Sequence, residues 1–260
     1  MPIHLERMSL HVDASFTSDA TGRLLRVREP GGAPAPRFYL GRSPHGNLWR
    51  FRDDLPSSVV RELARLAGKE PPLDPDGAPP QRLAAFRRVL VAAALDGVAA
   101  VECRGPAYCF PDNCAGLAAG ELGPGSPLPG VELVCISGAG DRAELLEAEF
   151  ADWIPELADR QPCFAMVEKR RAVSLCCSAR VLRGGNAEVS TPLLAAEAGV
   201  ETVPGHRGRG FAPRVAAAWA RAVRELGGVP LYSTSWDNGA SQSVARRLGL
   251  VPYGEDWHWS

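Results

Sequence analysis

A glycine-rich loop joins an extended run to a helix late in the chain, and it restricts the local fold more than any other segment. The extended run ends at Pro204, the loop reads Gly-His-Arg-Gly-Arg-Gly-Phe-Ala over 205–212, and a helical pattern begins at Pro213. Glycines let backbone N–H groups turn toward one point, and a helix N-terminus adds unpaired donors and the positive end of its dipole. The loop therefore predicts a site for a phosphate or pyrophosphate. The alternative is a glycine turn that only connects the strand to the helix.

Two common phosphate-binding loops do not match this segment. A Walker loop ends in Gly-Lys-Ser/Thr, and the lysines of this chain are Lys69 and Lys169, both far from the loop. The dinucleotide-binding fingerprint needs Gly or Ala three residues after Gly210, where this chain has Pro213. What remains is the pattern Arg207-x-x-Gly210-x-Ala212, placed between a strand and a helix.

A second motif lies downstream of that helix. Asn238 opens a short helical pattern that ends in Leu248-Gly249-Leu250, just before a last extended run. The ordered pair of motifs resembles the GNAT acetyltransferase superfamily, whose coenzyme A loop follows the pattern Gln/Arg-x-x-Gly-x-Gly/Ala. The resemblance covers residues 131–260.

Strand-like and helical patterns alternate over this region. Extended runs are predicted at 131–136, 163–168, 172–181, 195–203, 229–233 and 250–253, and helices at 142–158, 213–226 and 240–248. This order predicts an α/β (α+β) fold. The resemblance implies that its mixed central sheet, flanked by helices, is of the GNAT type.

The domain organisation follows from a shift in composition. Residues 119–130 are rich in Gly and Pro, which continue neither a helix nor a sheet, so we expect a linker there between residues 1–118 and 131–260. Residues 1–118 have strand patterns at 24–28, 37–40 and 47–51 and helical patterns at 57–67 and 81–95. They are predicted to form a small N-terminal α+β domain of unknown role.

The resemblance also implies a co-substrate, acetyl-CoA, and the residues that bind it, with no metal. The implied cofactor contacts are Val200, Thr202, Arg207, Gly208, Arg209, Gly210, Phe211, Ala212, Asn238 and Ser241. The pantetheine arm would pair with the strand at 200–202, the pyrophosphate would lie on loop N–H groups, and a strand N–H near Val200 would polarise the developing oxyanion. Asn238 has an alternative role as a helix cap without a ligand contact.

The catalytic candidates are Glu197, Glu201 and Tyr253. The two glutamates lie an even number of residues apart on one predicted strand and so share a face, and either could be the base that deprotonates an amine. Glu197 is preferred because it is farther from the pyrophosphate end, although either could be an ordinary surface glutamate. Many GNAT members carry a tyrosine seven residues after the Asn, and this tyrosine protonates the leaving thiolate. This chain has Ala245 at that position. Tyr253, Tyr232 or water could protonate the leaving thiolate instead, or the thiolate could leave without a dedicated acid.

The resemblance implies an N-acetyltransferase that transfers an acetyl group to an amine by direct attack in a ternary complex. The alternative is a catalytically degenerate GNAT fold that binds acyl-CoA as a regulatory or structural module. The formal net charge of −1 argues against a nucleic-acid or membrane partner. The resemblance implies a small-molecule amine or an amino group as acceptor, and a homodimer is left open. The start of the chain lacks a signal-peptide layout, and arginine greatly outnumbers lysine; we expect a cytoplasmic bacterial protein with reduced cysteines.

Overall fold

The computed structural model describes residues 3–74, 77–93, 100–111, 129–138, 142–185 and 191–260. The chain divides into two compact units, each built from separate stretches of sequence. The first unit comprises Met1–Tyr108, Ser233–Asp237 and Pro252–Ser260, and the second comprises Cys109–Tyr232 and Asn238–Val251. The predicted linker at 119–130 lies almost entirely outside the described residues, so the predicted boundary there stays a prediction.

The helices and strands are as follows in chain order. They are α1 (Ile3–Ser15), β1 (Phe16–Ser18), β2 (Leu24–Val27), β3 (Phe38–Ser43), β4 (Gly46–Phe51), α2 (Ser57–Ala67), α3 (Leu83–Ala92), β5 (Glu102–Cys109), β6 (Val131–Cys135), β7 (Cys163–Glu168), β8 (Arg171–Arg183), β9 (Leu193–Thr202), α4 (Phe211–Glu225), β10 (Val229–Ser233), α5 (Gly239–Arg247) and β11 (Val251–Trp259).

The first unit is built on strands in the order β4-β3-β11-β5, with β3 antiparallel to both of its neighbours. One face of this sheet packs an aromatic core in which Phe38 meets Phe86 and Trp259 at ring-centroid distances of 5.2 Å each. On β11, Gly254 allows a close approach, because a Cβ atom there would lie 2.6 Å from the Met8 side chain of α1. The last strand of the chain therefore takes its core contacts from residues of the first half.

The second unit has strands in the order β10-β9-β8-β7-β6. Strand β10 runs parallel to β9, whereas the β9-β8, β8-β7 and β7-β6 pairs are antiparallel, so the sheet is mixed. Helix α4 covers one face, where the Trp219 indole N–H donates to Ser178 Oγ at 3.1 Å. The opposite face packs against Phe150 and Leu157. The predicted mixed sheet flanked by helices is confirmed.

Three of the local predictions that fail have a direct physical reason. The helix predicted at 142–158 is instead two short 3-10 helices, Ala143–Leu145 and Ala151–Glu156, and Pro155 lies inside the second. Proline removes a backbone donor and clashes with the preceding helical turn, which accounts for the missing α-helix. Helix α1 was not predicted because it buries polar as well as apolar side chains. Strand β5 was not predicted because Gly105 and Pro106 interrupt its pattern.

Candidate functional site

The second unit contains a cavity of about 420 Å³ around the glycine-rich loop. Its walls come from the end of β9, the loop, the start of α4, strand β10 and helix α5. The lining residues are Val200, Glu201, Thr202, His206, Arg207, Gly208, Gly210, Phe211, Ala212, Pro213, Tyr232, Asn238, Ala240, Ser241, Ser243, Val244 and Arg247. Nine of the ten cofactor contacts implied by the motifs thus lie together at one cavity.

The cavity lies where two parallel strands separate. Strands β9 and β10 pair from Ala195↔Val229 to Glu197↔Leu231, and there the pairing ends. Strand β9 continues to Thr202 and remains paired with β8 on its other edge. In the described part of the chain, no strand covers residues 198–202 on the β10 side. The backbone there is a strand edge, which an extended ligand can use as a template for hydrogen bonds.

The loop presents backbone donors at the other end of the cavity. Gly208 and Gly210 have φ values of +78° and +79°, in the left-handed region that other residues rarely adopt. Gly210 caps α4, so the N–H groups of Phe211 and Ala212 begin the helix and have no carbonyl partner within it. Pro213, in the first turn, has no N–H to leave unpaired. Unpaired donors and the positive helix end make this corner suited to an anion.

Glu168 fixes the loop from outside the cavity. This carboxylate, at the end of β7, accepts from Arg209 at 2.8 Å and lies 3.0 Å from His206 Nε2. The hydrogen bonds from Arg209 and His206 lower the pKa of Glu168 from its usual 4.5 to about 2. The Arg209 guanidinium also stacks over the Phe211 ring at 4.6 Å. The side chain of Arg209, a predicted cofactor contact, is therefore directed to Glu168 and does not line the cavity.

This ion pair gives a testable titration. In the wild-type protein, Glu168 should remain ionised at pH 3, because its pKa is depressed; protonation, and loss of the loop anchor, should follow only as the pH falls toward 2. In Arg209→Gln, the carboxyl should titrate closer to 4.5. Side-chain carboxyl ¹³C NMR measures both midpoints. Arg221→Gln, which removes an exposed arginine paired with Glu225 on α4, should leave the Glu168 midpoint unchanged. An unchanged midpoint in Arg209→Gln would contradict the assignment.

Helix α5 contributes polar groups to the opposite wall. Asn238 Oδ1 accepts from the Ser241 N–H at 3.0 Å, so Asn238 caps the helix while it also lines the cavity. The Tyr232 hydroxyl of β10 lies 2.6 Å from Ser241 Oγ. The motifs did not assign the lining residues Ser243 and Arg247, because side-chain direction on a short helix depends on how that helix packs.

The two candidate bases lie on β9 with different partners. Glu201 is exposed, lines the cavity and accepts from the Trp153 indole N–H at 3.2 Å. Glu197 is 4% exposed and pairs with Arg180 across the strands, with 2.8 Å between Arg180 Nη1 and Glu197 Oε2. Glu197 is outside the cavity lining, but it belongs to the last pair before β9 and β10 separate. The catalytic roles of both stay predictions.

Tyr253, the third catalytic candidate, belongs to the first unit. It is fully buried there, and its hydroxyl lies 2.9 Å from His11 Nδ1. The cavity is formed by residues of the second unit alone. Its proposed role as an acid stays a prediction.

The described residues contain neither a metal-binding cluster nor a helix able to span a membrane. Within residues 3–74, 77–93, 100–111, 129–138, 142–185 and 191–260, no group of three or more His, Cys, Asp or Glu side chains could hold a metal ion. Over the same ranges, no helix has the length and apolar character needed to cross a membrane.

Comparison with known proteins locates a family match on this site. Residues 191–258 match the family described as FR47-like protein, and every residue that lines the cavity falls inside that match. Together with the motifs, this match supports a GNAT-superfamily C-terminal region. That region is GNAT-like. The prediction made from the two motifs is confirmed for residues 191–258. No curated protein sequence matches this chain.

Solved structures similar to this chain include GNAT proteins. A functionally unknown conserved protein from Staphylococcus epidermidis is 11% identical, with 97% of this chain and 95% of that chain covered and a TM-score of 0.50. A GCN5-related N-acetyltransferase-like protein from Streptococcus suis is 15% identical, with 88% and 85% covered and a TM-score of 0.47. An aminoglycoside N-acetyltransferase in complex with CoA is 20% identical, with 46% and 88% covered and a TM-score of 0.34.

Proposed function

We propose that this protein is an acetyl-CoA-dependent N-acetyltransferase. The observation that carries the proposal is the cavity that begins at the free edge of β9 and ends at the N-terminus of α4. At one end, the strand edge offers hydrogen bonds to an amide-bearing chain such as the pantetheine arm of coenzyme A. At the other end, the backbone donors suit the pyrophosphate of coenzyme A. When bound, acetyl-CoA would supply an acetyl thioester open to attack by an amine.

The residues that would hold acetyl-CoA fall into three sets. The N–H groups of Phe211 and Ala212, with the loop glycines, would bind the pyrophosphate. The edge of β9 from Val200 to Thr202 would pair with the pantetheine amides. Arg207 and Arg247 line the cavity and would add positive charge near the phosphates.

Glu197 is the proposed base. The strand distance from Thr202 to Glu197 is five residues, or about 16 Å at the rise of a β-strand. A ligand that extends from the loop along β9 would thus bring its far end to the separation of the strands, beside Glu197. Glu201 is one residue from Thr202 and so lies near the phosphate end. The Glu197 carboxylate would take the proton of the attacking amine while Arg180 orients it.

Two cysteines lie opposite the proposed cofactor strand but are poor nucleophiles. On β8, Cys176 pairs with Val200 of β9, and Cys177 pairs with Gly199 of β9. Burial raises the pKa of the Cys176 thiol well above its usual value and that of Cys177 to about 12. Because the thiolate is the reactive form, neither would form an acyl-cysteine at neutral pH. This favours direct attack by the amine in a ternary complex.

The acceptor in this proposal is a small-molecule amine or an amino group, handled in the cytoplasm of a bacterium, without a nucleic-acid or membrane partner. A homodimer is compatible with it. Calorimetry with acetyl-CoA tests the cofactor, and release of free CoA across a panel of amines tests the transfer. Failure of the folded protein to bind acetyl-CoA would overturn the proposal.

A second candidate function is an acyl-CoA-binding module without catalysis. The observation that favours it is Ala245, which is buried at the helix position where the resemblance implies a tyrosine. The two functions give different results in the same experiments. Acetyl-CoA binding without CoA release for any amine would favour the binding module, and amine-dependent CoA release would favour the enzyme.

A further inference from the structure

Tyr232 lies at the point where the two parallel strands separate. It is the residue of β10 directly after Leu231, which forms the last pair with Glu197 of β9. Its side chain is 2% exposed and its ring packs edge-on against Phe110 at 6.4 Å, so its position is fixed by packing. Tyr232 also lines the cavity. A buried phenol therefore stands at the end of the cavity that is farthest along β9 from the glycine loop.

The hydroxyl of Tyr232 belongs to a short chain of polar groups. It donates to the Ser241 backbone carbonyl at 3.2 Å and lies 2.6 Å from Ser241 Oγ. Ser241 is itself held by Asn238, which accepts from its N–H at 3.0 Å. With the phenol proton directed to the carbonyl, the Ser241 hydroxyl donates to the phenol oxygen. A proton lost from Tyr232 can thus be replaced through Ser241, which is only half-buried.

We propose that Tyr232 is the general acid that protonates the departing thiolate, with Ser241 as the group that restores its proton. This inference rests on the proposed function. The resemblance does not assign it, because the corresponding helix position is Ala245. Among the lining residues that the structure describes, Tyr232 carries the one phenol, and the one imidazole, His206, lies 3.0 Å from Glu168.

The transfer balances with the groups named. The amine nitrogen attacks the thioester carbonyl carbon, the C–N bond forms, and Glu197 accepts the amine proton. The C–S bond breaks, its electron pair goes to sulfur, and Tyr232 gives its proton to that sulfur. The phenolate regains a proton from Ser241, Ser241 regains one from water, and Glu197 releases the amine proton to the hydroxide that remains, so no net proton is consumed. The products are the amide and the free thiol, and no oxidant or reductant is needed.

A binding experiment tests this assignment without an acceptor. The probes are coenzyme A and desulfo-coenzyme A, which lacks the sulfur atom, each titrated by calorimetry at pH 9, above the usual thiol pKa of about 8.5. A hydrogen bond to a charged group predicts that the wild-type protein prefers coenzyme A by about tenfold or more. In Tyr232→Phe this preference should fall to about twofold or less, while the affinity for desulfo-coenzyme A stays close to that of the wild type.

The control is Tyr39→Phe, which removes a hydroxyl that donates to Met8 Sδ in the first unit and should keep the wild-type preference. A purely structural role of Tyr232 would weaken both probes equally, and that result would overturn the proposal. The proposal would also be overturned if Tyr253→Phe lost the preference for coenzyme A over desulfo-coenzyme A while Tyr232→Phe kept it. If the folded wild-type protein binds neither probe, the proposed function itself fails, and this inference fails with it.

Discussion

Replacing Gly208 with glutamate is expected to abolish acetyl-CoA binding while the protein remains folded. Gly208 is exposed, lines the cavity, and has no atom within 4 Å of the position of an added Cβ. The new side chain would therefore fit without a clash, but it would bring a carboxylate to the corner where α4 offers its positive end. Repulsion and loss of the anion site should lower the affinity by about 1,000-fold or more, since several charge-assisted hydrogen bonds are lost together.

The control for this substitution is Gly227→Glu at the other end of α4. Gly227 has a φ of +84°, against +78° for Gly208, and it too has open space around an added Cβ. Both variants thus carry a similar backbone strain of about 1–2 kcal/mol and the same added charge. Calorimetry should find wild-type affinity for Gly227→Glu and none measurable for Gly208→Glu. Equal losses would mean that strain, and not the site, explains the effect. Gly210→Glu is less informative, because Gly210 is buried and caps α4.

The sequence predicts the loop and its helix well because the signals are local. Pro204 and Pro213 restrict the backbone, the loop glycines allow it to turn with positive φ, and the apolar stripe of α4 follows directly. Helix α4 was predicted at 213–226 and is found at Phe211–Glu225. The cap at Asn238 is likewise determined by its immediate neighbours, through the bond to Ser241.

Long-range pairing explains what the sequence could not predict. The separation of β9 from β10 depends on where the register between two distant strands ends, and no short pattern encodes that position. Glu168 lies far from Arg209 in sequence. The ion pair between them, which holds the loop, could not be predicted because it depends on the folded chain placing β7 next to the loop. The last strand was predicted as the end of the C-terminal region, yet Trp259 packs with Phe38 and Phe86 in the first unit.

The ranking of the two glutamates is also a matter of long-range structure. The sequence places Glu197 and Glu201 on one face of a strand and does not distinguish them. Their hydrogen-bond partners differ, Arg180 for Glu197 and Trp153 for Glu201, and both partners come from other elements. The position of Glu197 beside the strand separation, rather than any local motif, distinguishes it from Glu201.

Glu197→Gln is expected to reduce turnover at neutral pH by about 100- to 10,000-fold, the usual contribution of a general base. Glutamine has nearly the same shape and can still accept a hydrogen bond from Arg180, so the strand pair should remain intact. The affinity for acetyl-CoA, measured by calorimetry, should stay near that of the wild type, because Glu197 lies outside the cavity lining. Part of the lost rate should return at high pH, where the amine loses its proton without help.

The matched variant is Glu201→Gln, which makes the same change on the same strand and the same face. Its carboxylate is bound to the Trp153 N–H and lies one residue from Thr202, about 13 Å along the strand from Glu197. A group at that distance from the strand separation should affect cofactor binding more than the chemical step, so we expect a higher KM for acetyl-CoA and a nearly unchanged kcat. The decisive comparison is the pH–rate profile of both variants with one accepting amine. If Glu201→Gln loses turnover and regains it at high pH while Glu197→Gln keeps the wild-type profile, Glu201 is the base, and the thioester must lie nearer the glycine loop than the separation of β9 and β10 implies.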